Sequence, residues 1–175
     1  MKKGLIVALL AFAFSTLLIN NSCEAQASAE YKAHADGWLV DVNKAYELSK
    51  ETNKPIMANF TGSDWCGWCI RLKGEVFDKP EFKTWAEDNV VLLELDFPRR
   101  TKLPANYVEQ NRGLQSAFGV RGYPTIWVFN LAKDESTGQF KIDALGKTGY
   151  VRGGPGAFIT TVDNMKKQHK EKSAQ

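Results

Sequence analysis

Short apolar runs alternate along most of this chain with longer segments whose apolar residues stand three or four positions apart. Bounded apolar runs of about four to eight residues are typical of buried strands, and the wider spacing is typical of helices. Helices are therefore predicted at 42–52, 80–88, 105–118 and 155–170, with another continuing from Cys69 through Phe77, and strands at 56–60, 90–96, 120–129 and around 140–145. The order α-β-α-α-β-α-β-β-α indicates an α/β class with helices packed on a central sheet.

Turn and cap residues sharpen several of these boundaries. Pro55 and Gly62 enclose the strand at 56–60, and Gly119 follows the helix at 105–118 as its C-terminal cap. Asp78 is predicted to cap the helix that begins at Pro80, because aspartate accepts backbone hydrogen bonds there and proline suits the first helical turn.

The amino-terminal end has the three-part pattern of a secretory signal peptide. Two lysines precede an apolar run from Leu5 to Ile19, and the small-residue sequence Ala25-Gln26-Ala27 follows it. The run is shorter than the roughly 20 residues that span a bilayer. We therefore expect residues 1–27 to be removed and the protein to be periplasmic.

Cys23 offers an alternative processing site, since Ser22 before it is small, as in lipid-attached proteins. The two asparagines before Ser22 stand where a lipoprotein signal has an aliphatic and a small residue, so cleavage after Ala27 is the preferred interpretation. A mobile polar segment over 28–37 and a single domain over 38–172 are then expected, and that length suffices for a hydrophobic core.

Charge and cysteine content exclude some classes of function. The chain has 23 Lys and Arg against 20 Asp and Glu, a formal net charge of +3, without a basic tract interleaved with aromatics. A nucleic-acid partner is therefore not expected. Of the three cysteines, only Cys66 and Cys69 would remain after export, which is too few for a disulfide framework and favours redox chemistry.

The spacing of Cys66 and Cys69 suits a redox dithiol. At the start of a helix, residues three apart share one face, so the two sulfurs can form a disulfide. Unpaired N–H groups at the helix start favour a thiolate on the first cysteine, and such motifs have thiol pKa values of about 3.5 to 7.5. Cys66 is therefore predicted to attack, and Cys69 to resolve the mixed disulfide.

Other interpretations of the cysteine pair fit the sequence less well. A purely structural disulfide would close a loop too short to remove much chain entropy. A zinc site needs two further ligands, and the histidines, His34 and His169, lie at opposite ends of the expected domain. Haem attachment requires histidine where Ile70 stands. No metal or cofactor is expected.

Two motifs together resemble the thioredoxin superfamily. Trp65-Cys66-x-x-Cys69 follows one strand, and Gly122-Tyr123-Pro124-Thr125 begins another. The strings 60–69 and 96–99 are similar to an exported bacterial branch of thioredoxin-like proteins, and the likeness extends over about 38–170. It implies a thioredoxin fold, a central mixed β-sheet flanked by helices, here with an N-terminal helical extension.

The resemblance also implies roles for individual residues. Cys66 matches the nucleophilic cysteine, Cys69 the resolving one, and Trp65 the aromatic residue that shields them. Pro124 matches a proline held cis beside the site, and Tyr123 matches the residue whose backbone pairs with an extended substrate.

The sequence departs from the family at two places in the site. Gly67 and Trp68 stand between the cysteines, where thioredoxin has Gly-Pro, so a strongly reducing potential is not assumed. The acid that thioredoxin buries beneath its cysteines aligns with Asn59, which cannot ionise. Proton transfer to and from Cys69 would then need water or another carboxylate. Asp64 and Glu75 are the candidate carboxylates by sequence distance, although both are more simply interpreted as solvated surface residues.

The expected function is that of an exported thiol–disulfide oxidoreductase. Its partners would be client proteins with thiols or disulfides and a membrane or periplasmic redox protein that resets the dithiol, and a monomer is expected. One alternative is a peptide-binding or chaperone-like module without turnover, whose groove lies above Pro124. Another is electron delivery to a single dedicated partner.

Overall fold

A four-stranded mixed sheet forms the centre of the molecule. The computed structural model describes residues 31–174, so the predicted signal peptide and Cys23 lie outside the described residues. The strands are β1 (Ile56–Thr61), β2 (Val91–Asp96), β3 (Thr125–Lys133) and β4 (Phe140–Thr148), arranged in the order β2-β1-β3-β4. β1 pairs parallel with β2 and antiparallel with β3, and β3 pairs antiparallel with β4.

Helices cover both faces of this sheet. They are α1 (Val42–Thr52), α2 (Gly67–Leu72), α3 (Pro80–Asn89), α4 (Ala105–Ala117) and α5 (Gly154–Ser173), and a π-helical turn at Lys73–Phe77 extends α2. The predicted order of elements and the α/β class are confirmed. Within residues 31–174, no helix is both long and apolar enough to cross a membrane.

The start of α3 differs from the prediction. Lys79, not Asp78, occupies the cap position, and its side chain makes no capping hydrogen bond, while Pro80 is the first helical residue as expected. The Asp78 carboxylate instead binds the Lys73 ammonium group at 2.7 Å. The π-helical turn ends at Phe77, so Asp78 is the C-terminal cap residue of that turn and not the N-terminal cap of α3.

The third strand begins later than predicted, at Thr125 instead of residue 120. Residues 120–124 form the connection from α4, and Gly119, with a φ of +59°, ends that helix as expected. Pro124 has no backbone N–H group to donate to a neighbouring strand, which is consistent with pairing that begins at the next residue. The Tyr123–Pro124 peptide bond is cis.

Two hydrophobic layers hold the helices against the sheet. Every residue of β1 is buried because both faces of the sheet are covered. On one face, Phe77, Phe82 and Phe158 pack together, and on the other Phe118 packs against Phe129.

The segment that precedes α1 lies along the outer edge of β2. The Leu39 N–H donates to the Leu92 carbonyl at 2.9 Å, and the Glu94 N–H donates to the Leu39 carbonyl at 2.8 Å. Ala35 and Trp38 are buried in the same stretch. Leu39 and Trp38 belong to the predicted domain. Within the 28–37 segment predicted to be mobile, Ala35 is buried and the His34 N–H donates to Glu94 on β2 at 2.8 Å.

Candidate active site

Cys66 and Cys69 lie at the start of α2, just after the end of β1. Cys66 is the N-cap residue of α2, its N–H donates to the Gly62 carbonyl at 2.8 Å, and its Sγ accepts the Cys69 N–H at 3.3 Å. The two side chains form a disulfide, with their Cα atoms 5.2 Å apart. Both residues are largely buried, with exposed fractions of 7 % and 5 %.

Trp65, the residue before Cys66, is held from three sides. Its indole N–H donates to the Phe97 carbonyl at 2.8 Å, and the Arg99 guanidinium lies 3.6 Å from the indole ring centroid. The Tyr123 ring meets it edge-on at 5.9 Å. These contacts fix the orientation of the aromatic residue that precedes Cys66.

Asp64 organises the loop that carries Arg99. Its carboxylate accepts the backbone N–H groups of residues 99, 100 and 101 at 2.9, 2.8 and 3.0 Å. These hydrogen bonds, that from Arg99 first, lower the pKa of Asp64 below its ordinary value. Asp64 is therefore a loop anchor, which argues against the predicted role as a proton acceptor for Cys69.

Tyr123 and Pro124 reach the same end of the sheet as the cysteines. Phe60, near the end of β1, pairs with Thr125, the first residue of β3, so the two motifs meet at one edge. The Tyr123 ring stacks on Phe97 at 5.1 Å, and its hydroxyl is hydrogen bonded to the Gln115 amide at 2.6 Å.

A second aromatic group stands on the other side of α2. Trp68 is 54 % exposed and lies 5.1 Å from the Tyr150 ring, with the Arg71 guanidinium 5.6 Å from both rings. Glu75 accepts hydrogen bonds from the Tyr150 hydroxyl and from Arg71. The Tyr150 bond is the main reason that the pKa of Glu75 is lowered. Glu75 thus belongs to this exposed group, which argues against its predicted role as a proton acceptor.

Two buried carboxylates on β2 were missed in the sequence. Glu94 and Asp96 are 3 % and 1 % exposed. Nδ1 of His34 lies 3.0 Å from Glu94 Oε1 and 3.6 Å from Asp96 Oδ2, and the Ser63 hydroxyl donates to Asp96 at 2.6 Å. The hydrogen bond to Glu94 is the main cause of the raised pKa of His34, whereas burial raises the pKa of Asp96. The available signal in the sequence was Glu94, a charged residue inside the apolar run of β2, which is covered on both faces.

A cavity of about 190 Å³ connects this cluster with Cys69. Its lining includes Cys69, Asn59, Lys73, His34 and Glu94. Asn59 Oδ1 is buried and accepts no hydrogen bond from residues 31–174. Over the same range, no group of three or more His, Cys, Asp or Glu side chains is arranged to hold a metal ion.

Sequence comparison assigns this arrangement to a family. A family model described as thioredoxin-like matches residues 37–130, which is more than half of the chain and includes both cysteines. The chain belongs to the thioredoxin-like family. The region matched runs from the segment beside β2 into β3, so it includes Pro124 as well.

Two curated relatives of this thioredoxin-like protein come from Chlamydia pneumoniae. It is 33% identical over 124 residues to the disulfide bond reductase DsbH, covering 71% of this chain and 69% of that protein. It is 31% identical over 111 residues to the thioredoxin-related protein DsbJ, covering 63% of this chain but only 32% of that protein.

Solved structures support the fold of the thioredoxin-like chain. A DsbH oxidoreductase superposes with a TM-score of 0.64 at 28% identity, covering 80% of this chain and 93% of that one. A thioredoxin from Thermus thermophilus gives a TM-score of 0.50 at 16% identity, covering 71% and 83%. The thioredoxin-like fold is confirmed, and the Cys-x-x-Cys pair together with the relation to DsbH makes the protein thiol–disulfide oxidoreductase-like.

Proposed function

We propose that this protein is an exported thiol–disulfide oxidoreductase that exchanges disulfides with cysteine pairs of client proteins, working in the reductive direction. The observation that carries the proposal is the Cys66–Cys69 disulfide at the junction of β1 and α2, where Cys66 Sγ accepts a backbone N–H group. A hydrogen bond to the anionic form favours the thiolate. The relation to a disulfide bond reductase supports the direction.

In the proposed cycle, the Cys66 thiolate attacks one sulfur of a client disulfide and forms a mixed disulfide. The client's other sulfur leaves as a thiolate. Cys69 then attacks Cys66 Sγ, the Cys66–client bond breaks, and the Cys66–Cys69 disulfide forms. The client gains two electrons, which the dithiol loses, so a separate thiol-donating redox protein must reset the enzyme.

Surfaces on both sides of the disulfide support a protein substrate. Tyr123 and Pro124 present backbone beside the cysteines, where an extended peptide could pair with it. Trp68 and Ile70 are exposed apolar side chains close to the pair, at 54 % and 53 %. We assign Trp65, fixed by its three contacts, to shielding the sulfurs, and Gly67 to the start of α2.

Trapping of mixed disulfides tests the roles of the two cysteines. Cys69→Ala is expected to accumulate client adducts through Cys66, because the second step is blocked, whereas Cys66→Ala is expected to trap none. Non-reducing gels with mass spectrometry of the adducts provide the measurement. Equal trapping by both variants would reverse or remove the assigned roles.

Turnover and direction need separate experiments. Purified protein with a thiol reductant is expected to reduce insulin disulfides, and a titration of the dithiol against glutathione is expected to show a reducing couple. Peptide binding without turnover, unchanged when both cysteines are replaced, would favour a non-catalytic binding module. A couple that oxidises glutathione would reject the reductive direction.

Export is proposed from the amino-terminal pattern alone. Mass spectrometry of protein from the periplasmic fraction is expected to give a chain that begins at residue 28. A lipid-modified amino terminus at Cys23 would support anchoring instead, and an intact Met1 in the cytoplasmic fraction would reject export.

A further inference from the structure

Within the proposed exchange reaction, the resolving step poses a chemical problem that the cysteines do not solve. Cys69 must lose its proton before or as it attacks Cys66 Sγ, because the thiolate is the nucleophile. Asn59 cannot ionise, and Asp64 and Glu75 are bonded to other groups. A carboxylate that accepts the Cys69 proton must therefore come from elsewhere in the fold.

Glu94 occupies a suitable position. It pairs with Asn59 in the register of β1 and β2, and both residues line the cavity that contains Cys69. The hydrogen bonds that Glu94 accepts from residues 31–174 both come from His34 and fall on Oε1, at 2.8 and 3.0 Å. One oxygen is thus anchored, and Oε2 is left to take a proton.

Asp96 is a poorer candidate than Glu94 although it is just as buried. Its Oδ1 accepts the N–H groups of Ser63 and Phe97, both at 2.9 Å, and its Oδ2 accepts the Ser63 hydroxyl at 2.6 Å. Both of its oxygens are therefore occupied, and it does not line the cavity with Cys69.

The cavity itself suits proton transfer. A volume of about 190 Å³ has room for several water molecules, each of which takes roughly 30 Å³ in the liquid. The unpartnered Asn59 Oδ1 is a buried acceptor on its wall, and such groups normally bind water. Water in this cavity would give the Cys69 proton a route to Glu94, because both residues line it.

We propose that Glu94 is the proton acceptor for Cys69, supplied by the strand next to the one that carries the acid in thioredoxin. In the step, the Cys69 S–H bond breaks and its proton goes to the Glu94 carboxylate. Cys69 sulfur then bonds to Cys66 Sγ, and the sulfur bound to Cys66 departs as a thiolate with the electron pair of the broken bond. In the reverse reaction Glu94 returns the proton.

Several other titratable groups face Glu94. They are His34 and Tyr31 on the amino-terminal segment, Asp96 on β2, Lys73 on the extension of α2, and Cys69 on α2. Lys73 is bound to Asp78 at 2.7 Å, so its charge is partly matched already. His34 supplies the nearest positive charge when protonated, with its Nδ1 at 3.0 Å from Glu94 Oε1.

A two-phase thiol assay separates the two cysteines. Reduced protein that lacks residues 1–27, and so has only Cys66 and Cys69, is mixed with excess dithionitrobenzoate, which releases one yellow nitrothiobenzoate when Cys66 attacks and a second when Cys69 resolves the adduct. The reagent gains two electrons in total and the protein forms its disulfide. The first phase therefore reports Cys66, the second reports Cys69, and Cys69→Ala should show the first phase only.

Glu94→Gln is expected to slow the second phase at least about tenfold and to leave the first within about twofold, since general-base effects are commonly of this size or larger. The wild-type second phase should change little between about pH 6 and 8, whereas in Glu94→Gln it should rise about tenfold per pH unit. Glu109→Gln, which removes an exposed carboxylate on α4, should leave both phases unchanged. Adding Asn59→Asp to Glu94→Gln should restore most of the second-phase rate, because residue 59 lines the same cavity.

An unchanged second phase in Glu94→Gln would overturn the proposal, as would failure of Asn59→Asp to restore a slowed one. If Glu94→Gln does not fold, the pH dependence of the wild-type second-phase rate still tests the proposal. A wild-type rate that rises tenfold per pH unit would show that no internal proton acceptor operates, and would overturn it. A Glu94-dependent second phase without reduction of any protein disulfide would support Glu94 and reject the proposed client exchange.

Discussion

Replacing Gly62 by alanine should displace the Trp65 ring from its position between Gly62, Phe97, Arg99 and Tyr123. A Cβ atom at position 62 would lie 2.5 to 2.9 Å from three atoms of the indole ring, closer than carbon atoms can approach. The ring cannot yield slightly, because Phe97, Arg99 and Tyr123 hold it from other sides. The side chain must leave this position or the loop must shift.

The contacts at stake set the magnitude. A hydrogen bond such as that to Phe97 contributes about 1 kcal/mol, a cation–π contact such as that with Arg99 about 0.5 to 1 kcal/mol, and an edge-on aromatic pair about 0.5 to 1.5 kcal/mol. Partial loss of these three contacts should lower the free energy of unfolding by roughly 2 kcal/mol. For a domain of this size that lowers the melting temperature by roughly 4 to 8 °C.

Chemical denaturation of matched variants provides the assay. Gly113→Ala is the control, because a Cβ there meets no other described residue within 4 Å and the position lies inside α4, where alanine is favoured by roughly 0.5 to 1 kcal/mol. In a Trp65→Ala background the cost of Gly62→Ala should fall below about 0.5 kcal/mol, since the clashing ring is gone. Additive effects of the two substitutions, or a Gly62→Ala protein as stable as Gly113→Ala, would refute the reasoning.

Three further predictions concern charge, packing and the loop. The hydrogen bond to Glu94 is the main cause of the raised pKa of His34, so the contribution of His34 to stability is full below its unfolded pKa of about 6.5 and is lost as the pH rises through its folded pKa. The loss of unfolding free energy caused by His34→Gln should therefore shrink with rising pH. A loss that grows with pH would contradict this. Phe158→Ala should cost about 3 to 5 kcal/mol in urea unfolding, because the ring is fully buried against Phe77 and Phe82, and a loss below 1 kcal/mol would show a core able to collapse around the gap. Asp64→Ala should speed hydrogen exchange of the amides at 99–101, and unchanged exchange would show that the loop does not depend on this carboxylate.

Elements with strong local signals were predictable from the sequence. The strand at 56–60 was found because Pro55 and Gly62 enclose an apolar run, and the structure extends it by one residue to Thr61. The position of Cys66 at the start of α2 follows from the same boundary. In each case the information lies within about ten residues of the element, which is the range over which turn and cap preferences act.

Features that depend on distant contacts were not predictable. His34 and Glu94 are separated by 60 positions, and their contact requires the segment before α1 to lie along β2. Sequence distance therefore selected Asp64 and Glu75 as acceptors, although backbone amides and Tyr150 already use their oxygens. Asp78 was misplaced as a cap because Lys79 occupies that position and the Asp78 carboxylate binds the Lys73 ammonium group.

The bridge between Leu39 and Leu93 also bears on how the molecule behaves at high concentration. An outermost strand normally offers a row of unused donors and acceptors that can recruit strands from other molecules and start fibrous aggregates. Here the backbone of Leu39 occupies that row beside the middle of β2. The residues just before α1 thus protect the β2 edge of the sheet from pairing with other molecules. A chain truncated beyond Leu39 would be prone to self-association.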